Sequence, residues 1–235
     1  MATTYGNRGA GSGDDDHQRR ADEAWACIRN MMDQGSVESH RFYLARKTAW
    51  EMLNDRGYTV PDSELTRTLP EFRSHFGDKP DLDRLRIHSS LSSNPSKKIL
   101  VVFMGTEGIG KSSVCGLRDQ ILNQSLSGLI LVLQSKMSSF AQKELDSFPF
   151  KVEVFQIADL YVNITKHCLM PKHQILTAEE KRNLLNKYQL EEKQLPQMVR
   201  TDPIARYYGL EKGAVVKATY TNEFIQFHEQ YRCVV

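Results

Sequence analysis

The hydrophobic positions from residue 36 to residue 56 recur at intervals of three and four, which is the spacing of an amphipathic helix. The predicted core-facing positions are Val37, Leu44, Ala45, Thr48, Ala49, Met52 and Leu53. Gly57 follows them and is placed to end the helix. A capping-box sequence, Thr68-Leu69-Pro70-Glu71, then predicts a short helix that carries Phe72 and Phe76. The pattern therefore predicts two helices packed closely together.

Short apolar runs in the middle of the chain predict strands rather than helices. They cover residues 85–88, 99–104, 129–133 and 151–157. Helical patterns lie between them, including one over residues 138–148. Because strands and helices alternate here, the sequence predicts an α/β arrangement in which helices cover a sheet.

The last sixty residues predict a smaller α+β unit. Thr177-Ala178-Glu179-Glu180 is a capping box for one helix. Asp202 can cap another helix whose first residue is Pro203, and Gly209 can end that helix in the left-handed conformation. The runs 214–220 and 231–235 are rich in strand-forming residues. We therefore expect a short helix to sit against a small sheet.

Residues 1–20 are rich in Gly, Ser, Thr and Asp, with Tyr5 as their one sizeable apolar side chain. Such a segment cannot bury enough surface to offset the entropy lost on ordering. Residues 21–32 are more helical in composition, and Gly35 is placed to end that pattern. We predict a mobile N-terminal extension over residues 1–35.

Composition limits the function without deciding it. A net charge of +2 means that any nucleic-acid contact must come from local patches. The four cysteines, Cys27, Cys115, Cys168 and Cys233, are scattered, which argues against a zinc site and a disulfide framework. The apolar run 99–104 is too short to cross a bilayer. We expect an intracellular protein without a membrane segment, in a reducing compartment.

The histidine pair His167 and His173, with Cys168 adjacent, is the strongest candidate for a metal site. It lacks an evident third ligand, so a structural role for both histidines is the favoured interpretation. We therefore expect no metal and no cofactor.

One octapeptide matches the phosphate-binding loop pattern and follows an apolar strand, as such a loop should: Gly105-Thr106-Glu107-Gly108-Ile109-Gly110-Lys111-Ser112. In that interpretation backbone N–H groups hold phosphates, Lys111 reaches the β- and γ-phosphates and Ser112 holds magnesium. The reaction also needs a carboxylate after a neighbouring strand, whereas the run 129–133 continues into Gln134-Ser135. A P-loop nucleotide-binding protein is therefore the less favoured alternative.

Sequence elements at both ends resemble one family, the fifth shared subunit of nuclear RNA polymerases, which has a homologue in the archaeal enzyme. At the C-terminal end they are Gln194 to Pro196, Asp202-Pro203, Ala205 to Tyr207, Gly209 and Gly213 to Lys217. At the N-terminal end, Ala45-Arg46-Lys47-Thr48, Asp55-Arg56-Gly57-Tyr58 and Leu69-Pro70-Glu71-Phe72-Arg73 resemble the opening helices of the jaw domain. The segment from Val162 to His167 resembles the passage between the two domains. We place the boundary near Ile164, with a jaw domain at 36–163 and an assembly domain at 164–235.

The resemblance implies a non-catalytic subunit in the nucleus, without a catalytic site or cofactor. Its α/β jaw domain, with helices on a mixed sheet, would stand beside downstream duplex DNA and contact phosphates without reading sequence. Its small α+β assembly domain would dock on the largest subunit, among other polymerase subunits. Implied DNA-facing candidates are Arg46, Lys47 and Arg56, and assembly-interface candidates are Asp202, Pro203, Arg206, Tyr207 and Gly209.

Two alternatives remain for the basic residues of the first helix. From spacing alone, Arg41, Arg46, Lys47 and Arg56 fall away from the core-facing set, and such charges usually form a solvated helix face. A free-standing nucleic-acid-binding module would also account for them, although it leaves both end domains unexplained.

Several divergent segments resemble the specialised version of the family in plant RNA polymerase V, the enzyme of RNA-directed DNA methylation. They include Glu38-Ser39-His40-Arg41 and Glu191-Glu192-Lys193. The chain also departs from the family pattern after Lys217, where an arginine-rich strand and a Thr-Ala-Gly turn are expected. It has Ala218-Thr219-Tyr220-Thr221-Asn222-Glu223-Phe224 in that place.

Overall fold

The computed structural model describes residues 35–121, 124–221 and 227–235. The predicted mobile extension, apart from Gly35, lies outside the described residues, as does part of the divergent stretch after Lys217. From Val37 to Val235 the chain forms one compact unit that contains two separate sheets. Within the described ranges, no helix combines the length and the hydrophobicity that a membrane span requires.

From residue 35 onward, three helices precede the first strand: α1 (Val37–Asp55), α2 (Asp62–Thr66) and α3 (Leu69–Phe76). The capping box of α3 is present, because Thr68 N donates to the Glu71 carboxylate at 2.9 Å. Gly57 and Gly77 adopt φ values of +84° and +78° after α1 and α3. The two predicted helices are therefore confirmed, and the glycines follow them as expected.

The buried face of α1 is broader than its sequence pattern predicted. Ala45, Thr48, Ala49, Met52 and Leu53 are buried as expected, but so are Ser39, Phe42, Arg46 and Trp50. Val37, in the first turn, is 66% exposed, which corrects its predicted core position. The helix is covered from several sides, because α3, the first sheet and the segment after it belong to the same hydrophobic cluster.

The first sheet has the order β1-β2-β3-β4 and is mixed. Its strands are β1 (Ile87–Leu91), β2 (Asn94–Phe103), β3 (Leu126–Leu133) and β4 (Lys151–Gln156). The first pair is antiparallel and the other two pairs are parallel. Helices α4 (Lys111–Ile121) and α5 (Ser139–Leu145) pack on one face, and α1 and α3 pack on the other. The predicted sheet covered by helices is confirmed.

The second sheet has the order β5-β7-β8-β6. Its strands are β5 (Lys172–Ile175), β6 (Gln197–Met198), β7 (Val215–Tyr220) and β8 (His228–Val234). Helices α6 (Ala178–Tyr188) and α7 (Pro203–Tyr207) accompany them, and short 3-10 turns occupy Ile157–Leu160, Ile164–Lys166 and Glu192–Gln194. This part is the small α+β unit that the sequence predicted.

The short helix α7 begins and ends where its sequence predicted. Asp202 Oδ1 accepts a hydrogen bond from Ile204 N at 2.8 Å, and Pro203 is the first helical residue. Gly209 has φ +63°. The helix buries Ile204, Ala205 and Tyr207, so its inner face is part of the core.

Candidate assembly and nucleic-acid surfaces

Arg56, a predicted DNA-facing residue, has a side chain that is only 7% exposed and lies between β4 of the first sheet and the end of α7. Its guanidinium makes a bidentate pair with Glu153 of β4, with Nη1–Oε1 at 3.1 Å and Nη2–Oε2 at 2.8 Å. Its Nε donates to Tyr207 O at 2.7 Å and its Nη2 to Arg206 O at 2.8 Å. The last carbonyls of a helix lack intrahelical donors, and here one cation binds two of them at the end of α7.

Gly209 follows the end of α7, and its lack of a side chain leaves room for the Arg56–Glu153 ion pair. A Cβ atom at this position would lie 3.0 Å from Arg56 Nη1 and 3.1 Å from Glu153 Oε1. Its φ of +63° also disfavours residues with side chains. Lys151 Nζ donates to Gly209 O at 2.7 Å, which adds another bond between β4 and the end of α7.

Tyr207, a predicted interface residue, is buried and points toward α1. Its hydroxyl donates to Asp55 Oδ2 at 2.7 Å and accepts from Asn163 Nδ2 at 3.0 Å. Asn163 Nδ2 also donates to Glu51 Oε2 at 2.8 Å. Burial, and then the hydrogen bond to Asp55, raise the pKa of Tyr207 above its usual value. The hydroxyl therefore remains protonated at neutral pH and available as a donor.

Arg206 also contacts the first sheet and its connection. Its guanidinium carbon lies 4.6 Å from the centroid of the Phe155 ring. Nη1 donates to Asp159 Oδ2 at 3.1 Å, and Nη2 donates to Val154 O at 2.8 Å. Both Arg206 and Tyr207 therefore make intramolecular contacts, and their part in an assembly interface stays a prediction. We call Arg56, Glu153, Asn163, Arg206 and Tyr207 the Arg56 clasp.

Arg46, another predicted DNA-facing residue, has 8% of its side chain exposed and forms an ion pair with Glu64. Burial is the main cause that lowers the pKa of its guanidinium, and the Glu64 carboxylate opposes that shift. The expected outward placement of Arg46 and Arg56 is therefore wrong.

Lys47 is only half-buried, with Nζ 5.8 Å from the Tyr43 ring centroid. Contact of Lys47 with DNA stays a prediction.

The octapeptide from Gly105 to Ser112 joins β2 to α4, as a phosphate-binding loop would. Ile109 is buried and forms a parallel bridge with Met137, and Ser138 N donates to Ile109 O at 3.1 Å. Gln134, after β3, donates to Met104 O at 3.1 Å. Lys111 Nζ lies 3.4 Å from Glu144 Oε2. The loop is thus held by pairing with residues 134–138, and the position after β3 carries an amide where a magnesium site would need a carboxylate.

The histidines of the candidate metal site have separate surroundings. His167 Nδ1 accepts a hydrogen bond from Leu169 N at 3.2 Å. Burial, and then the charge of Arg232, lower the pKa of His173. No group of three or more ligand-type residues suited to a metal ion occurs within the described ranges.

The sequence pattern did not predict several exposed apolar side chains in the part of the chain that forms the second sheet. Leu169 is 84% exposed, Tyr188 54% and Val199 57%, and Ile175 on the edge strand β5 is 39% exposed. No residue of α6 is buried. Apolar residues beside polar stretches, such as Ile175 after Lys172-His173-Gln174, are the feature of the sequence that could have indicated them. Such exposed groups are candidates for contact with a partner.

Comparison with known proteins relates both ends of the chain to one kind of protein. Residues 36–121 match the N-terminal domain of RNA polymerase Rpb5, and residues 162–234 match its C-terminal domain. DNA-directed RNA polymerase V subunit 5C of Arabidopsis thaliana is 57% identical over 215 residues, 91% of this chain and 92% of the relative. Subunit 5A of the same polymerase is 48% identical over 209 residues, 88% of this chain and 94% of the relative.

More distant relatives match over a similar length. Subunit RPABC1 of DNA-directed RNA polymerases I, II and III from Caenorhabditis elegans is 36% identical over 211 residues, 87% of this chain and all of the relative. The N-terminal match includes β1 and β2 of the first sheet, and the C-terminal match includes all four strands of the second sheet. The chain therefore belongs to the Rpb5 family, the non-catalytic subunits of DNA-directed RNA polymerases.

Proposed function

We propose that this subunit acts in plant RNA polymerase V, within RNA-directed DNA methylation in the nucleus. The observation that carries the proposal is the 57% identity to a polymerase V subunit over nearly the whole length of both chains. The divergent segments, such as Glu191-Glu192-Lys193, support the same assignment. The largest polymerase subunit and other polymerase subunits are the proposed partners.

The proposed assembly domain covers residues 164–235 and docks on the largest subunit. Asp202, Pro203 and Gly209 determine where the helix α7 begins and ends. Arg206 contacts β4 of the first sheet, and Tyr207 contacts α1. Their proposed part in assembly is therefore to set the position of this domain. The direct contacts fall to the exposed apolar side chains Leu169, Ile175, Tyr188 and Val199, which have little cover within the chain.

The proposed jaw domain covers residues 36–163 and stands beside downstream duplex DNA. It contacts phosphates and reads no bases, so its contribution to binding is independent of sequence and sensitive to salt. With Arg46 and Arg56 buried, Lys47 is the remaining candidate of the three.

Affinity purification of the tagged full-length chain from plant nuclei, with mass spectrometry of the captured proteins, tests the proposal. We expect the largest subunit of polymerase V to be captured by the wild type and to be lost from a Leu169→Asp/Ile175→Asp variant. Phe140→Asp is the control, because Phe140 is also exposed, at 73%, but lies on α5, which packs on the first sheet and not on the second. Capture of other largest subunits alone would contradict the polymerase V assignment, and equal capture by the double variant would contradict the docking surface.

A further inference from the structure

Three arginine side chains from separate parts of the chain meet at one aromatic ring. The guanidinium carbon of Arg46 lies 5.0 Å from the centroid of the Phe76 ring, and those of Arg67 and Arg84 each lie 5.8 Å away. Arg46 is on α1, Arg67 lies between α2 and α3, and Arg84 precedes β1. We call these three residues the Phe76 arginine cluster.

The cluster carries more positive charge than its surroundings neutralise. Glu64 is the only carboxylate within ion-pair distance of the three guanidiniums in the described part of the chain, and it contacts both Arg46 and Arg67. Arg84 donates to His75 O at 3.0 Å and has no carboxylate partner among the same residues. Two of the three cations thus share one carboxylate, and the third pairs with none of the described residues. The charge of Arg67 contributes to the lowered pKa of Arg46, after burial.

Two buried donor groups at the cluster make no hydrogen bond within the described part of the chain. Trp50, whose ring centroid lies 5.6 Å from the Arg46 guanidinium carbon, has a buried Nε1 with no hydrogen-bond partner among the described residues. Arg67 Nη1 is 2.9 Å from Glu64 Oε1 but is likewise buried without a hydrogen bond. Buried polar groups are nearly always paired, and an unpaired one is costly. Among the described residues, the cluster is therefore richer in donors than in acceptors.

We propose that the accessible side of the Phe76 arginine cluster, formed by Arg67 and Arg84, binds a phosphate group of a nucleic-acid backbone, with the buried Arg46 held behind it by Glu64. The inference rests on the proposed position of the jaw domain and names the residues that would contact DNA there. Arg84 is exposed and presents the planar donor fork that suits a phosphate. Lys47 extends the surface, because it lies over Tyr43, whose hydroxyl donates to Arg67 O at 3.1 Å.

The first test uses the isolated full-length chain and inorganic phosphate. Side-chain NMR signals of the arginine Nε–H groups should shift for Arg67 and Arg84 as phosphate is added. Glu64→Gln should increase the affinity for phosphate, since it removes the only carboxylate that pairs with the cluster in the described part of the chain, and Arg84→Gln should reduce it. If the arginines only stack on Phe76, phosphate will not shift their Nε–H signals in the wild type, and Glu64→Gln will not increase the affinity for phosphate. Either of these results would overturn the site.

The second test uses the polymerase purified through the tagged chain and a labelled duplex. Arg84→Gln should reduce the slope of log affinity against log salt by about one, equally for unrelated sequences. Arg118→Gln is the matched control, because Arg118 is a half-exposed arginine paired with Glu144 on the opposite face of the first sheet. An unchanged slope in Arg84→Gln, or an equal change in the control, would overturn the nucleic-acid assignment even if inorganic phosphate binds. Capture of the largest subunit by Arg84→Gln separates this result from a failure of assembly.

Discussion

At the scale of single residues, the same chemical type has different roles according to burial. The side chains of Arg46 and Arg56 are each buried in an ion pair with a glutamate, Glu64 and Glu153 respectively. Arg84, in contrast, is exposed and pairs with no carboxylate of the described residues. Removing one partner of a buried pair leaves an uncompensated charge, and exposed pairs contribute little. The glycines also differ from one another, because a positive φ and close neighbouring atoms require glycine at position 209 but not at position 108.

Gly209→Ala should be clearly destabilising, by more than about 1 kcal/mol, because L-residues lose that much in the left-handed region before any steric conflict. The new Cβ would also lie 3.0 Å from Arg56 Nη1. Gly108→Ala is the control, since nothing lies within 4 Å of a Cβ there and its φ is not positive. Urea unfolding of both variants measures the difference, and equal stabilities would contradict the importance of the Gly209 conformation.

At the scale of elements, local sequence signals mark the ends of α3, α6 and α7. Thr177 N donates to Glu180 Oε2 at 2.8 Å, and Glu180 N donates to Thr177 Oγ1 at 3.2 Å, which completes the predicted capping box of α6. Such contacts involve residues at most four apart, so the sequence alone specifies them. The octapeptide from Gly105 to Ser112 shows the limit of this reasoning, because a motif needs its tertiary context.

Asp202→Ala should lower the free energy of unfolding by about 0.5–2 kcal/mol, since it removes the acceptor for Ile204 N at the start of α7. Asp202→Asn should restore most of the loss, because the amide oxygen can accept the same hydrogen bond. Thermal or urea unfolding of the full-length chain measures both. A loss that Asn fails to restore would indicate that the charge of Asp202, rather than its cap, matters.

Lys111→Ala should change neither nucleotide binding nor stability appreciably. Lys111 is 64% exposed and its ion pair with Glu144 is 3.4 Å long, so we expect a stability change within about 0.5 kcal/mol. The wild-type chain should bind no ATP with magnesium, as isothermal calorimetry would measure. A magnesium-dependent complex that the variant loses would favour the P-loop alternative.

At the scale of the whole molecule, the Arg56 clasp joins the two sheets. Its contacts connect residues far apart in sequence, such as Arg56 with Tyr207 and Asn163 with Glu51. Lys166 Nζ donates to Glu51 Oε1 at 2.6 Å and adds an exposed ion pair to the same region. These contacts hold α7, which packs on the second sheet, against α1 and the first sheet.

Glu153→Gln should allow the second sheet to open to amide exchange while the first sheet stays closed. The variant leaves Arg56 buried without its carboxylate, which costs about 3–5 kcal/mol for a buried pair. Amide exchange in β7 and β8 should become faster while β2 and β3 keep their protection. Asp159→Asn, which affects the more exposed pair with Arg206, should leave both unchanged. Equal acceleration in all four strands would contradict a clasp between separable parts.

The sequence by itself determined the helix α1, the caps of α3, α6 and α7, the strands β1 to β4, β7 and β8, and the glycines that follow helices, but it did not predict the short strands β5 and β6. Each depends on periodicity or on contacts between residues close along the chain. The family resemblance likewise rests on short local elements such as Asp202-Pro203 and Gly209, and the comparisons confirmed it.

Only the tertiary structure decided which charged and aromatic residues are available to a partner. Arg46, Arg56, Arg206 and Tyr207 have the composition of an interface, yet each is bound by groups from distant segments. Helical spacing places a side chain on a face but does not say what covers that face. Arg56 meets Glu153 across 97 residues and Tyr207 O across 151, and no local pattern carries that information.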